Sequence, residues 1–248
     1  MIKFKAAIFD MDGTLLDSMP LWLCCAEKYI SSLGLEPEKN LGKKLFPLSM
    51  KEGADYLKKN YIPDFSEEEI CRGVNQVIAK AYREDVQFKD GAEDFLQKLA
   101  SAGVKVALCT NTDREIFTPA LQRLNAEKYF DFIFTTSEMQ MSKAHTEIFH
   151  KVCREMKASP EESWIFEDSL YALETARRAG IKTCAIYDKT SESDAEKIKE
   201  ISSIYCKNYN ETEMGLSSSL DSIGKAPVEQ GDKTEDLCAD TIYKSLYK

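Results

Sequence analysis

Two aspartates, Asp10 and Asp12, directly follow an apolar run near the start of the chain, residues 6–9 (Ala-Ala-Ile-Phe). A continuous apolar run predicts a strand that is buried on both faces at the centre of a parallel sheet. Side chains at the carboxyl end of such a strand face the crevice where open α/β sheets bind ligands. Because two close carboxylates repel each other and oxygen ligands suit a hard cation, the pair predicts a Mg²⁺ site. The alternative is that the aspartates cap a helix or a turn.

Two further apolar segments end in residues suited to the same site. Thr110 and Asn111 follow the predicted strand at residues 104–109, and they could offer a hydroxyl and an amide to a phosphate oxygen. Glu167 and Asp168 follow the apolar segment at residues 163–166 and form a second acidic pair. The alternatives are an ordinary helix cap at the first position and acids that favour a helix N-terminus at the second.

Lys143 is the only lysine or arginine from Ser137 to His145. It directly precedes a helix predicted over residues 144–157. The alternative is a solvated surface lysine.

These segments, in this order, resemble the four motifs of the haloacid dehalogenase superfamily of phosphotransferases. The resemblance covers most of residues 4–209, and a helical insert after the first motif is similar to the branch containing β-phosphoglucomutase and small-metabolite phosphatases. The chain departs from the family pattern in lacking proline after the third motif and in residues 88–91. The matching positions are residues 10–18 (Asp-Met-Asp-Gly-Thr-Leu-Leu-Asp-Ser), Thr110, Lys143 and residues 166–169 (Phe-Glu-Asp-Ser).

The resemblance implies a role for each matching residue. Asp10 would be the nucleophile that forms an aspartyl phosphate, and Asp12 would act first as general acid and then as general base. Mg²⁺ would be the cofactor. Its implied ligands are the Asp10 carboxylate, the Asp12 backbone carbonyl, Asp168, and Glu167 directly or through water. The implied phosphate-binding residues are Thr110, Asn111 and Lys143, with Thr110 and Lys143 also catalytic.

The resemblance leaves three functions to distinguish. The first is a phosphatase, a phosphoric monoester hydrolase acting on a small phosphorylated metabolite. The second is a phosphomutase of the β-phosphoglucomutase type, which uses the same site but returns the phosphoryl group to its substrate. The third is a non-catalytic module that binds phosphorylated metabolites. The sugar mutases of the family tend to carry a histidine in the first helix of the insert, where this chain has Pro20-Leu21-Trp22, and this favours hydrolysis.

The composition of the chain indicates which classes of partner are disfavoured and which cellular compartment is expected. The 33 basic and 42 acidic residues leave a net charge of −9, which disfavours nucleic acid and anionic membranes as partners. Two histidines are too few for histidine-based zinc or triad chemistry. Neither a membrane span nor a signal peptide is predicted, and no protein partner is indicated. Cysteines within apolar patterns, without Cys-x-x-Cys spacing, predict reduced core residues of a cytoplasmic protein; they are Cys24, Cys25, Cys109 and Cys184.

The predicted fold is α/β, a Rossmann-like parallel sheet of strand order 3-2-1-4-5 with helices on both faces and an inserted α-helical cap. Residues 1–17 and 86–210 would form the core and residues 18–85 the cap, which the family uses to close over its site. Residues 211–248 would be a flexible tail, in which 237–247 could form a short helix. Cap residues that could contact substrate, or that are merely a solvated lysine-rich loop, are Lys43, Lys44, Ser49 and Lys51.

Overall fold

A six-stranded parallel sheet with the order β3-β2-β1-β4-β5-β6 organises the protein. The structure is a computed structural model and describes residues 4–212. The predicted order of five strands is confirmed, and β6 adds to the β5 edge. The strands are β1 Ala6–Phe9, β2 Lys105–Thr110, β3 Phe132–Thr135, β4 Ser163–Glu167, β5 Lys182–Ile186 and β6 Ile204–Cys206.

Helices connect the strands and form the insert. The insert begins with two short helices, because the chain turns at residues 23–24. The helix predicted over residues 144–157 begins at Thr146. The α-helices are α1 Met19–Trp22, α2 Cys25–Ser32, α3 Leu41–Leu45, α4 Met50–Asn60, α5 Glu67–Glu84, α6 Ala92–Ser101, α7 Arg114–Arg123, α8 Thr136–Met139, α9 Thr146–Met156, α10 Leu170–Arg178 and α11 Ala195–Ile201.

The described residues divide into two compact units. Residues 4–17, 87–114 and 121–212 form the sheet unit, and residues 18–86 with 115–120 form the helical unit. A further helix begins at Tyr209 and still runs at Thr212. The predicted flexible tail with its short helix lies outside the described residues from position 213 onward.

Both faces of the sheet are packed, which explains the apolar run of β1. All four β1 residues are buried. On one face, Phe9 stacks on Phe166 with ring centroids 4.4 Å apart, and Phe95 lies against Phe166 at 5.2 Å. On the other face, α9 and α10 pack against Ile8 and Ile165. A strand buried on both sides must be central, so the residue that follows it is delivered to the middle of the sheet edge.

In the helical unit, two serines begin the two long helices. Ser49 and Glu52 form a reciprocal capping box at the start of α4, and Ser66 and Glu69 form another at the start of α5. Within residues 4–212, no helix has the length and apolarity that crossing a membrane requires.

The cysteines within the described part of the chain are free thiols. Cys109 and Cys184 are buried, as predicted. Cys24 and Cys25 are only half-buried, so the prediction that they are core residues was wrong. They lie where α1 ends and α2 begins, and the apolar periodicity of a continuous helix does not predict burial at such a turn.

Candidate active site

Asp10 lies at the carboxyl end of the central strand and is buried, with only 7% of the residue exposed to solvent. Its backbone N–H donates to the Phe166 carbonyl at 2.9 Å, so the pairing of β1 with β4 extends to this residue. The ammonium of Lys143 donates to Asp10 Oδ1 and to Glu167 Oε1, the latter at 3.1 Å. Three separate segments therefore meet at one buried cluster.

Lys143 is not a surface lysine, since it is only 1% exposed. Burial alone would lower its pKa, but the carboxylates of Asp10 and Glu167 raise the pKa well above the usual value. The lysine is thus charged, and its charge is directed at the carboxylates. Lys143 lies three positions before Thr146, the first residue of α9, and packing of α9 on the sheet brings it to this position.

Glu167 uses both of its carboxylate oxygens within the sheet unit. Oε1 accepts from Lys143, whereas Oε2 accepts from the backbone N–H groups of Asp168 at 2.6 Å and Ser169 at 2.7 Å. The Ser169 hydroxyl adds a third donor at 2.9 Å. Glu167 therefore accepts hydrogen bonds at the N-terminal end of α10, as predicted by the alternative that the acidic pair favours a helix N-terminus. It also orients Lys143.

Asp168 completes an acidic cluster. One oxygen from each of Asp10, Glu167 and Asp168 lies within 4.8 Å of the others. Thr14 donates to Asp168 Oδ1 at 2.9 Å, and Ser191 reaches Oδ2 at 3.4 Å. The sequence analysis did not single out these two donors. Thr14 lies within the first motif, which is a usable signal, whereas Ser191 lies beyond β5 and gives none.

The cluster fits a divalent cation. Burial raises the pKa of Asp10 to about 7, and Glu167 and Asp12 add to this effect while Lys143 opposes it. Burial together with Glu167, Asp10 and Asp188 raises the pKa of Asp168 well above its usual value. Three ionised carboxylates beside one ammonium have a net charge of −2 in a buried place, which the +2 charge of one Mg²⁺ would neutralise. Oxygen donors are the ligands that Mg²⁺ prefers.

Asp12 is held apart from this cluster by the segment that follows β2. The Thr112 hydroxyl donates to Asp12 Oδ2 at 2.6 Å, and the Thr112 backbone N–H donates to the Thr110 hydroxyl oxygen at 3.1 Å. Thr110 is buried at the end of β2. The sequence analysis missed Thr112, although its place two residues after Thr110 was a possible signal.

Asn111 is bound to a side chain that the sequence analysis also missed. Its Nδ2 donates to the Tyr171 hydroxyl oxygen at 2.9 Å, and its Oδ1 is buried without a partner among the described residues. The predicted contact of Asn111 with phosphate stays a prediction, and the amide is already held on one side.

The four cap candidates lie in the helical unit. The Ser49 hydroxyl is engaged by Glu52 in the capping box of α4. The Lys44 ammonium donates to the Tyr56 hydroxyl oxygen at 2.5 Å and to Glu38 at 3.2 Å. The side chains of these two candidates thus have partners within the helical unit, and the substrate contacts predicted for the set stay a prediction. Lys43 and Lys51 are both exposed to solvent.

Comparisons with known proteins agree on one family. The sequence profile of the haloacid dehalogenase-like hydrolases matches residues 7–186. A phosphorylated carbohydrates phosphatase from Thermotoga maritima is 29% identical over 178 residues, which are 72% of this chain and 82% of that protein. The pyrophosphatase PpaX of Bacillus cereus is 24% identical over 186 residues, 75% of this chain and 84% of that protein.

Solved structures agree with this result. A crystal structure of a proposed β-phosphoglucomutase from Thermotoga maritima has a TM-score of 0.76 and 26% identity, and the match covers 88% of this chain and 99% of that one. CbbY from Rhodobacter sphaeroides, solved in complex with phosphate, has a TM-score of 0.66 and 19% identity, with coverage of 86% and 99%. The second likeness supports the fold alone.

Proposed function

Because the chain belongs to the haloacid dehalogenase-like hydrolase family, we propose that it is a Mg²⁺-dependent phosphatase of a small phosphorylated metabolite, working through an aspartyl phosphate at Asp10. The observation that carries the proposal is the buried cluster at the end of the central strand. There, Asp10 faces Lys143 and lies beside Glu167 and Asp168, which are at the end of the neighbouring strand.

A Mg²⁺ ion held by Asp10 and Asp168, with Glu167 directly or through water and the Asp12 backbone carbonyl, would supply positive charge to the phosphoryl oxygens. The chain's own residues supply the rest. A carboxylate oxygen of Asp10 attacks phosphorus, and the bond from phosphorus to the leaving oxygen breaks. The Lys143 ammonium, fixed by Glu167, offsets repulsion between the attacking carboxylate and the phosphate.

Asp12 handles the proton in both half-reactions. It donates a proton to the leaving oxygen as the aspartyl phosphate forms. It then takes a proton from the water that attacks the phosphorus of that intermediate, and Asp10 is released as a carboxylate with inorganic phosphate. The Thr112 hydroxyl at 2.6 Å keeps the Asp12 carboxyl in one place for both transfers.

Thr110 is suited to donate a hydrogen bond to a phosphoryl oxygen. Its hydroxyl oxygen accepts the Thr112 N–H at 3.1 Å, so its O–H can be donated elsewhere. A buried, fixed donor at the strand end needs little reorganisation when the phosphoryl group transfers.

The named relatives support a proposal for the substrate class. One is a phosphatase of phosphorylated carbohydrates and another a pyrophosphatase. We propose a sugar phosphate or a compound of similar size as the substrate, with Lys43, Lys44, Ser49 and Lys51 as candidate specificity residues in the cap.

The test is release of inorganic phosphate from a panel of phosphorylated sugars, nucleotides and short acids, with Mg²⁺ or with EDTA. The wild type should hydrolyse at least one compound only when Mg²⁺ is present, and Asp10→Asn should abolish this turnover. Borohydride added during turnover should reduce an aspartyl phosphate at position 10 to homoserine, which peptide mass spectrometry detects. Isomer formation that depends on a bisphosphate, without phosphate release, would assign the site to a phosphomutase instead. Tight phosphate binding without turnover would assign a binding module.

A further inference from the structure

Tyr171 lies beside the acidic cluster and has no part in the proposed chemistry. It is the second residue of α10, and its hydroxyl oxygen accepts a hydrogen bond of 2.9 Å from Asn111 Nδ2. The two residues are 60 positions apart in the sequence. The bond therefore ties the segment after β2 to the start of α10.

The position of the Tyr171 phenol is fixed by its surroundings. Its ring packs against the core cluster formed by α9, α10 and the sheet, and its backbone carbonyl accepts from the Thr175 hydroxyl at 2.8 Å. Burial raises the pKa of Tyr171 well above its usual value despite the nearby Lys143 charge, so the phenol is neutral. A neutral phenol can accept one hydrogen bond and donate another.

The other end of the Asn111 amide lacks a partner. Oδ1 is buried, and no donor among the described residues reaches it. An unpaired buried acceptor is costly, and such groups in native proteins usually mark a function or a bound species. A half-turn of the amide group would let the Tyr171 O–H donate to Oδ1 and would place Nδ2 where Oδ1 now lies.

We propose that Tyr171 is a positioning residue that fixes Asn111, so that the Asn111 amide N–H groups face the transferring phosphoryl group. The inference rests on the proposed function, because it assigns Asn111 to phosphate. With phosphate present, Tyr171 donates to Oδ1 and Nδ2 donates to a phosphoryl oxygen. The buried Asn111 Oδ1 and the Tyr171 O–H then both have a hydrogen-bond partner. Without Tyr171, the amide keeps its chemistry but loses its orientation.

The test is a double-mutant cycle on phosphate binding, which needs no turnover. Calorimetric titration of inorganic phosphate in saturating Mg²⁺ is performed on the wild type, Tyr171→Phe, Asn111→Ala and the double variant. Tyr171→Phe keeps the packed ring and removes one neutral hydrogen bond, so the dissociation constant should rise about three- to tenfold. In the Asn111→Ala background the same change should leave the dissociation constant unaltered.

Tyr129→Phe is the matched control. The Tyr129 hydroxyl donates to Glu93 at 3.0 Å and accepts from Gln97 at 3.1 Å, so this variant also loses a phenol within a hydrogen-bond network of the sheet unit. It should lower the melting temperature without changing phosphate affinity. A second readout is the side-chain amide NMR signal of Asn111, which should shift on phosphate addition in the wild type and shift differently in Tyr171→Phe.

The outcomes separate the inference from the proposed function. If Tyr171→Phe weakens phosphate binding equally in both backgrounds, or not at all, or if the wild type binds no phosphate, the inference is overturned. If the cycle behaves as expected but no ester is hydrolysed, the inference stands and the phosphatase proposal fails. If an ester is hydrolysed but Tyr171→Phe leaves the phosphate dissociation constant unchanged, the phosphatase proposal stands and the inference fails.

Discussion

Lys143 and Asp10 are 133 positions apart in the sequence and form a buried hydrogen bond between ammonium and carboxylate. Asp10 directly follows β1, whereas Lys143 lies in the segment between α8 and α9. The Lys143 ammonium also donates to the carboxylate of Glu167. Because the contact is entirely long-range, the site exists only when the core of the sheet unit is folded. The charge of this one lysine offsets only part of the three-carboxylate cluster.

Replacing Lys143 by methionine should therefore affect stability and turnover together. Without the ammonium, the three carboxylates repel one another in a buried place, so the melting temperature in EDTA should fall. Added Mg²⁺ should restore much of it. Turnover should fall by about 100-fold or more, because a fixed charge aimed at the phosphoryl group is lost.

Thermal melts with EDTA and with Mg²⁺, followed by phosphate-release assays, measure both effects. The control is Lys207→Met, which removes an exposed lysine of the sheet unit. It should match the wild type in each measurement. Unchanged turnover in Lys143→Met would contradict the role given to the lysine.

Asp10→Asn should stabilise the metal-free protein above neutral pH. The Asp10 pKa is raised from 3.8 to about 7 in the folded state, so between these values the folded protein holds a proton that the unfolded chain releases. Stability must then fall as pH rises through this window. Asparagine has no proton to lose and resembles the protonated acid in shape.

The expected result in EDTA is a melting temperature at pH 8 that is higher than that of the wild type by at least about 2–4 °C, with a smaller difference at pH 5. The wild type should gain more stability from Mg²⁺ than the variant does. Equal melting temperatures at pH 8 would show that the metal-free cluster does not destabilise the fold.

The position of Asp10 could be predicted from sequence because β1 is apolar at every position. Such a strand must be central, and the carboxyl ends of its parallel neighbours meet at the same edge, which brings Thr110 and Glu167 toward Asp10. The predicted strand order, which also rested on right-handed crossovers and on the topology of the resembled family, is confirmed. The residue roles assigned from the family resemblance stay predictions.

The hydrogen-bond partners of these residues could not be predicted from sequence. Thr112 on Asp12 and Tyr171 on Asn111 depend on loop conformation and on rotamers, which have no periodic signal. A threonine two residues beyond a strand and a tyrosine on a buried helix face are ordinary in any α/β protein. Only the packed structure distinguishes these two from their equivalents elsewhere in the chain.

Thr112→Val should reduce kcat and leave phosphate and Mg²⁺ affinities near those of the wild type. The variant loses the hydroxyl that fixes Asp12 at 2.6 Å, while the backbone bond from residue 112 to Thr110 is kept. A hydrogen bond to a charged group is worth about 1.5–3 kcal/mol, so a reduction of about tenfold or more is expected. Thr112→Ser restores the hydroxyl and should restore kcat. If the serine variant were as slow as the valine variant, packing and not the hydrogen bond would explain the loss.

Lys89 and Asp188 form a nearly buried ion pair with Nζ and Oδ2 2.8 Å apart, and Lys89 also donates to the Tyr187 carbonyl at 2.7 Å. Burial would raise the pKa of Asp188, but bonds from Lys89 and Thr190 lower it below its usual value. A depressed acid pKa contributes stability above the unfolded pKa, and this contribution is lost as pH falls through the folded pKa. Lys89→Met should thus be less stable than the wild type by about 2–4 kcal/mol at pH 7, and the difference should narrow near pH 3.

Urea unfolding at the two pH values measures this difference. Lys197→Met is the matched control, because Lys197 pairs with Glu174 at 2.7 Å on the exposed surface. That variant should unfold at nearly the same urea concentration as the wild type at either pH. A loss for Lys89→Met that is the same at pH 3 and pH 7 would attribute the effect to packing of the lysine stem.

Two glycines of the helical unit should respond oppositely to alanine. A Cβ at Gly42 in α3 would lie 1.6 Å from the Leu23 carbonyl oxygen and 2.7 Å from its carbon, and a backbone group cannot rotate away. Gly42→Ala should therefore destabilise the protein by at least about 2 kcal/mol. A Cβ at Gly53 in α4 meets nothing within 4 Å, so Gly53→Ala should stabilise it by about 0.5–1 kcal/mol through helix propensity. Chemical unfolding followed by circular dichroism measures both changes. If the two variants were equally stable, the close approach of α3 to Leu23 would not persist in solution.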